Sequence, residues 1–323
     1  MKQSIVRWSL RLIGPLLFAL FLWRTDVNAI WVSLQNIIWT PVIVSLALMP
    51  IFIVVKSWRW RIVMNELGLQ PPGIRELSKI YTVGLFLGGT TPGQSGDFAK
   101  ALYLRTSQRP ISSLLFSILI ERLCDVAAMA VMALIGLAAL AHTLDATTQA
   151  TVQKTTILLA LVIFLMLPAL LVKRSRDIGL RIMRTVVPER FKARFDTVTG
   201  QFSPLDIKVR PALLLVLATA GSALSTAIRI ALLFYAMELV RIPLSAVFGV
   251  TGQISLLQAL PISISGIGIR DAVLIALLQS YDYSSAIAIA LSGLFLLINV
   301  QHIIVGFVYS LRYPIPSREE THA

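Results

Sequence analysis

Thr90-Thr91-Pro92-Gly93-Gln94-Ser95-Gly96-Asp97-Phe98-Ala99-Lys100 interrupts a hydrophobic run with glycines, a proline and charges. Farther along, Pro261-Ile262-Ser263-Ile264-Ser265-Gly266-Ile267-Gly268-Ile269-Arg270-Asp271 does the same. Hydrocarbon offers no hydrogen bonds to an unwound backbone, so such a break persists only where protein or a water-filled cavity covers it. Paired breaks in matching positions of two halves point to a binding site built from discontinuous helices. Pro92, Gly93 and Gly96 in the first break, and Pro261, Gly266 and Gly268 in the second, are the expected backbone hinges.

The rest of the chain agrees with a membrane setting. It has 323 residues, 56% of them hydrophobic and only 14% charged, with a mean hydropathy of +0.79. Soluble chains carry about 25% charged residues. The fold class is therefore all-α and polytopic. A net charge of +13 does not indicate nucleic acid, because the cations lie in short loops and no soluble stretch is long enough to build a basic module. The single cysteine, Cys124, excludes an intramolecular disulfide and a Cys-rich metal site. His142, His302 and His322 lack zinc-motif spacing, and no phosphate loop, dinucleotide fingerprint or serine–histidine–acid set is present. No metal and no cofactor is expected.

A span needs about 20 apolar residues. The segment 1–23 has a basic start and an apolar run, and reads as a retained signal anchor with a span over 8–23. A short polar-amphipathic link over 24–38 follows. The second span covers 39–55 and continues helically through Lys56, Arg59 and Arg61, where Trp58 and Trp60 suit an interfacial anchor. Segment 77–89 is too short to span comfortably and meets the first break, and 97–104 leads away from it. A long helix over 111–141 carries Glu121, Arg122 and Asp125. A crossing at 155–172 leads to a basic loop, 173–210, with an amphipathic surface helix marked by Ile178, Ile182 and Met183. Spans at 211–237 and 286–311 flank 247–260, the second break and 269–278.

Of the 29 Lys and Arg residues, 23 fall in or near segments read as cytoplasmic. Three (Arg24, Lys154, Arg241) fall outside and three (Arg122, Arg229, Arg270) lie deep. The result is about six spans plus two oppositely oriented re-entrant hairpins, in the cytoplasmic membrane of a bacterium with both termini inside. Span, hairpin, span occurs once opening inward (39–141) and once opening outward (211–311), an inverted repeat within one domain over 1–323.

Charges at membrane depth cost about 2.5–3.5 kcal/mol each on insertion scales, so each needs a reason. Glu121 and Asp125 share one helix face, and Arg122 stands three residues before Asp125. They either pin helices together or line a pathway. Asp97 reads as an N-cap or as a site residue, and Lys100 as a site residue or a cation snorkelling to the interface. Arg229 requires a partner that the sequence does not identify. Arg270 stands at the N-terminus of a half-helix, where the dipole disfavours a cation. There a bound anion, the adjacent Asp271 or a carboxylate of another helix would balance it. His302 reads as a hydrogen-bonding packer on the last helix.

Arg59-Trp60, Pro92-Gly93 with Gly96-Asp97 and Lys100, Glu121-Arg122 with Asp125, and Gly266 to Asp271 resemble in order and spacing the flippase-like transmembrane family. That family is the membrane domain of lysylphosphatidylglycerol synthetase, the multiple peptide resistance factor. The likeness covers residues 5–312. Gln94-Ser95 stands where a basic residue is common, and Asp replaces Glu at 97 and 271. The soluble aminoacyl-transferase domain of bifunctional members has no counterpart in these residues.

The resemblance implies a transporter rather than an enzyme. It would move a phosphate-bearing lipid, a phospholipid or a polyprenyl-linked one, by alternating access. Asp97, Lys100, Glu121, Arg122, Asp125, Arg229, Arg270 and Asp271 would line the head-group path. The alternatives are an intramembrane transferase acting on a lipid-linked substrate and a non-transporting membrane partner. The expected partners are the lipid substrate and anionic head groups at the cytoplasmic face; homo-oligomerisation is left open.

Reporter tags at both termini and at position 190 are expected on the cytoplasmic side, and tags at 147 and 282 outside. Thiol-labelling of intact cells reads this directly, and a cytoplasmic residue 282 would remove the inverted repeat.

Overall fold

The computed structural model describes residues 27–140, 173–189, 207–259 and 268–313, with isolated positions between 150 and 161 and between 192 and 196. The expected span over 8–23 and most of that over 155–172 lie outside the described residues, as do Pro261 and Gly266. Those described are helical: α1 (Val27–Gln35), α2 (Trp39–Ala47), α3 (Met49–Glu66), α4 (Ile74–Gly89), a 3-10 segment (Pro92–Ala99), α5 (Lys100–Leu104), α6 (Ile111–Leu140), α7 (Lys173–Val186), α8 (Val209–Ala236), α9 (Leu244–Ala259), α10 (Ile269–Gln279) and α11 (Ser285–Arg312).

Among the described residues, Trp39–Glu66, Val209–Ala236 and Ser285–Arg312 are each 28 residues long and apolar enough to cross a membrane. At 1.5 Å per residue each reaches about 42 Å. Within the first of these, the chain turns at Leu48 and Pro50 sits in the opening turn of α3. A proline there sacrifices no intrahelical hydrogen bond. The segment 24–38 reads as a link, yet Val27–Gln35 forms α1 and packs on α11. The amphipathic helix expected in the basic loop is α7, with Ile178, Ile182 and Met183 exposed. Along α8, Leu213, Val216, Leu217 and Leu224 face outward. So continuous an apolar face is costly in water and ordinary in lipid.

Two apolar cores divide the described helices. One joins α3, α4, α5 and α6 through Trp60, Met64, Leu77, Leu114 and Ile118. The other joins α2, α8, α9, α10 and α11 through Leu233, Val250, Leu274 and Leu291. The halves interlock in three places: α3 on α8, α4 on α11, and α9 on α6. Each contact is antiparallel. Val55 meets Gly221 while Ser45 meets Arg229; Phe86 stacks edge-on with Phe307 while Gly89 meets Ile303.

Backbones come closest where α6 crosses α9. A Cβ on Gly249 would lie 2.0 Å from the Gly136 Cα, and one on Gly252 would lie 2.5 Å from the Met129 carbonyl oxygen. Neither helix can carry a side chain there without the two moving apart. Small residues that let backbones approach are the usual means of packing helices in lipid.

Gly249→Ala is therefore expected to destabilise the fold by about 3 kcal/mol, the upper end of the overpacking range. Gly293→Ala, with nothing within 4 Å of the added carbon, should cost nothing. Thermal unfolding of the two variants in detergent compares them, and equal melting temperatures would mean the crossing is looser than described.

Candidate functional site

The first break folds back on α4. Gly93 and Gln94 both take left-handed backbone angles (φ 60° and 54°), a conformation that is unusual for a glutamine. Thr91 Oγ1 ties the turn, donating to the Leu87 carbonyl (2.9 Å) and accepting the Gly96 N–H (2.7 Å). The turn carries Asp97 and Lys100 inward between α4 and α6.

There they join a buried charge network. Asp97 Oδ2 takes Lys100 Nζ at 3.0 Å and Arg122 Nη2 at 2.7 Å. Lys100 Nζ also reaches Glu121 Oε2 at 2.6 Å and lies 4.6 and 4.3 Å from the Trp60 and Tyr81 ring centres. Glu121 Oε1 accepts the Tyr81 hydroxyl (2.5 Å) and Arg59 Nη2 (3.2 Å). Asp125 Oδ1 receives Lys56 Nζ at 2.5 Å and Arg59 Nη1 at 2.7 Å. Lys100 and Arg59 are fully buried.

Lys56, Arg59, Lys100 and Arg122 thus face Asp97, Glu121 and Asp125, one cation in excess. That excess collects on Arg122, whose side chain is 25% exposed while Asp97 beneath it is 1% exposed. Its Nη1 is held by the Gln94 side-chain carbonyl at 2.5 Å.

Arg122 opens onto a cavity of about 170 Å³ lined by all six principal helices of the two halves. Lys56, Arg122 and Asp125 form one polar wall, and Arg229, Gln258 and His302 form the opposite one. A smaller space of about 70 Å³ shares Gln94, Arg122 and His302 with it and reaches the tip of the first break at Gly88 and Thr91. Arg229 is held without a carboxylate. Its Nε donates to the Ser45 carbonyl (2.9 Å) and its Nη2 to Gln301 Oε1 (3.1 Å), and the guanidinium lies 5.6 Å from the Phe52 ring centre. Nη1 sits 3.1 Å from His302 Nε2. A guanidinium only donates, so His302 Nε2 accepts and the ring is neutral there. The cavity lining thus carries three cations, Lys56, Arg122 and Arg229, and one carboxylate, Asp125, with Lys56 and Arg122 paired to Asp125 and Asp97.

The second break ends at Gly268 (φ 84°), whose N–H donates to Asp271 Oδ2 at 2.7 Å. Arg270 Nε donates to Ser292 Oγ at 2.7 Å, and that hydroxyl donates to Asp271 Oδ1. Arg270 Nη1 is buried with no hydrogen-bond partner among the described residues.

A family model described as the lysylphosphatidylglycerol synthase TM region matches residues 11–306. The chain belongs to this family. No curated protein matches it. With three membrane-length helices among the described residues, this family member is a multi-pass membrane protein.

In this family member the residues singled out from sequence separate into three groups. Asp97, Lys100, Glu121, Arg122 and Asp125 form one network, Arg229 stands across the cavity from Arg122, and Arg270 with Asp271 forms its own pair off that cavity's wall. Asp97 caps no helix; its carboxylate takes cations. Lys100 does not snorkel. Lys56 and Arg59, counted among the cytoplasmic cations beside interfacial tryptophans, are buried partners of Asp125 and Glu121. Tyr81 escaped notice altogether, and Gln94 and Gln301 were not among the expected site residues. A helical-register signal was available for Lys56 and Arg59: with Trp60 they stand at i, i+3 and i+4, which puts them on one face. Gln94, where the resemblance led to the expectation of a basic residue, instead accepts a hydrogen bond from Arg122.

Breaking a buried ion pair costs about 3–5 kcal/mol because the abandoned charge stays in place. Glu121→Gln is expected to lose that much stability, and adding Lys100→Met should recover most of it. Arg184→Gln on exposed α7 should be neutral. Unfolding in detergent measures all three, and an additive double variant would show that the network is not coupled.

Proposed function

We propose that this protein translocates a phosphate-bearing lipid between the leaflets of a bacterial cytoplasmic membrane by alternating access. The observation that carries this reading is the cavity among α3, α4, α6, α8, α9 and α11, where the network's one excess cation and Arg229 leave net positive charge inside a bundle that includes membrane-length helices. A phosphate crossing hydrocarbon has to exchange its hydration for fixed donors, and guanidinium groups fit its oxygens bidentately. The chains of such a lipid can remain in the bilayer.

The interlocking of the halves supports an inverted repeat as the moving part. Each half contributes a leading helix (α3, α8), a broken hairpin (α4 to α5, α9 to α10) and a long closing helix (α6, α11). The leading helices pack on each other, and each hairpin arm packs on the other half's closing helix. A two-fold axis in the membrane plane exchanges these contacts and makes equivalent helices antiparallel, as observed. The second arms also correspond. Asp97 and Lys100 engage α6 through Glu121 and Arg122, while Asp271 and Arg270 engage α11 through Ser292. On this reading both hairpins are re-entrant and both termini are cytoplasmic. The open Nη1 of Arg270 takes the head group in the other conformation.

Reconstituted vesicles carrying a fluorescent phospholipid test the reading. Wild type should equilibrate the lipid between leaflets. Arg229→Gln, Arg122→Gln and Arg270→Gln should each slow it about tenfold or more, the weight of one charged hydrogen bond, while remaining folded. Arg270→Lys should fall between. Unchanged rates in all three would remove the cavity from transport, and a covalently altered lipid in detergent would replace translocation with transferase chemistry.

A further inference from the structure

With no lining residue in common with the cavity, the end of α2 together with α3, α4 and α11 encloses a second groove of about 580 Å³. Its volume falls within the range of about 300–1,000 Å³ usual for ligand sites. Met49, Ile53 and Val54 form one side and Val305 and Tyr309 another. The polarity is confined to the two ends. At one end Gln301 closes the floor, its Nε2 donating to the Leu46 carbonyl at 2.9 Å and its Oε1 accepting from Arg229. At the other end stand Arg75, Ser78 and Lys79, on the first turns of α4.

The helices bordering the groove set its direction. Lys79 lies 4.6 Å from the Tyr313 ring centre, and a Cβ on Gly306 would meet the Thr82 carbonyl, so α4 and α11 run antiparallel. The groove follows α11 from Gln301 to Tyr309, about 12 Å at 1.5 Å per residue, from the interior of a long apolar helix to its basic end at Arg312. Arg75 and Lys79 have no carboxylate partner among the described residues, and Glu76 is exposed and off the groove wall. The Ser78 hydroxyl is buried and unpartnered among the described residues. Two free cations and an unspent hydroxyl at the mouth of an apolar trough match the charge and shape of one class of ligand.

We propose that this groove binds an anionic phospholipid of the surrounding bilayer, with its phosphate at Arg75, Ser78 and Lys79 and an acyl chain lying toward Gln301. The site stands whether or not the chain translocates lipid. It requires only that these helices lie in a bilayer, where a basic pocket between helices at the interface attracts anionic head groups.

Native mass spectrometry of the purified full chain, released from nanodiscs of equimolar phosphatidylglycerol and phosphatidylcholine, tests the proposal. Wild type should retain phosphatidylglycerol over phosphatidylcholine. Arg75→Gln with Lys79→Gln should lower that preference about 30-fold, the combined weight of two interfacial cations. Val54→Trp, which fills the trough, should reduce retention of both lipids, and Arg181→Gln on exposed α7 should change nothing. Thermal melting verifies that each variant is folded. Preference that survives the double substitution, or retention that survives Val54→Trp, overturns the site; so does an equal loss with Arg181→Gln, which would mark general surface attraction. In Arg122→Gln, which alters the cavity and leaves Gln301 in place, the part of the preference that depends on Arg75 and Lys79 should persist, so failure of translocation and failure of this groove are read separately.

Discussion

Glu121 is the atom group through which the first half holds together. One carboxylate receives Arg59 from α3, Tyr81 from α4 and Lys100 from the fold-back arm, and it belongs itself to α6. Removed from water, such a carboxylate is costly unless its lone pairs are filled; here both oxygens have partners. The same condition places the chain break. Lys100 reaches Glu121 only because Gly93 and Gln94 reverse the backbone before it, so the unwound segment and the charge network depend on each other.

A buried ionic cluster of this kind is weak evidence for stability, since well-packed apolar residues of similar volume are often as good. Its value here lies in geometry. With four cations against three carboxylates, neutrality fails by one charge, and Arg122, the most exposed of the four cations, lines the cavity together with Lys56. Arg229 across from it is surrounded by a carbonyl, an amide, an imidazole and an aromatic face, all neutral. The cavity therefore keeps a positive field in a low-dielectric setting, where such a field is strongest. The second break differs in kind: a serine hydroxyl stands between Arg270 and Asp271, and one guanidinium nitrogen has no acceptor among the described residues.

The seam between the halves imposes its own constraint. Helices α6 and α9 approach so closely at Gly136 and Gly249 that no side chain fits, and α4 meets α11 at Gly306 in the corresponding way. In lipid, where apolar contact between helices gains nothing from water, close backbone packing is what remains to hold them. Each hairpin's first arm is thereby tied to the other half's closing helix, so an alternating-access movement would carry the two together.

Much of the architecture follows from local pattern alone. Hydrophobic length and glycine–proline punctuation place the helices at 74–89, 111–140, 209–236, 244–259, 269–279 and 285–312 within a few residues of where they stand, because a backbone in hydrocarbon must satisfy itself within its own segment. The same logic located the first break and the amphipathic α7. What sequence could not settle is which charge meets which. Lys56 and Arg59 beside tryptophans have the composition of an interfacial anchor, and only the packing of α3 on α6 turns them into partners of Asp125 and Glu121. Lys100 has a stem long enough to snorkel and is instead enclosed by Trp60 and Tyr81. The partners of Arg229 lie 184 and about 72 residues away. Spacing along a chain reports one helix face at a time, and the neutralisation of a buried charge is a property of faces from several helices brought together, which tertiary structure alone decides.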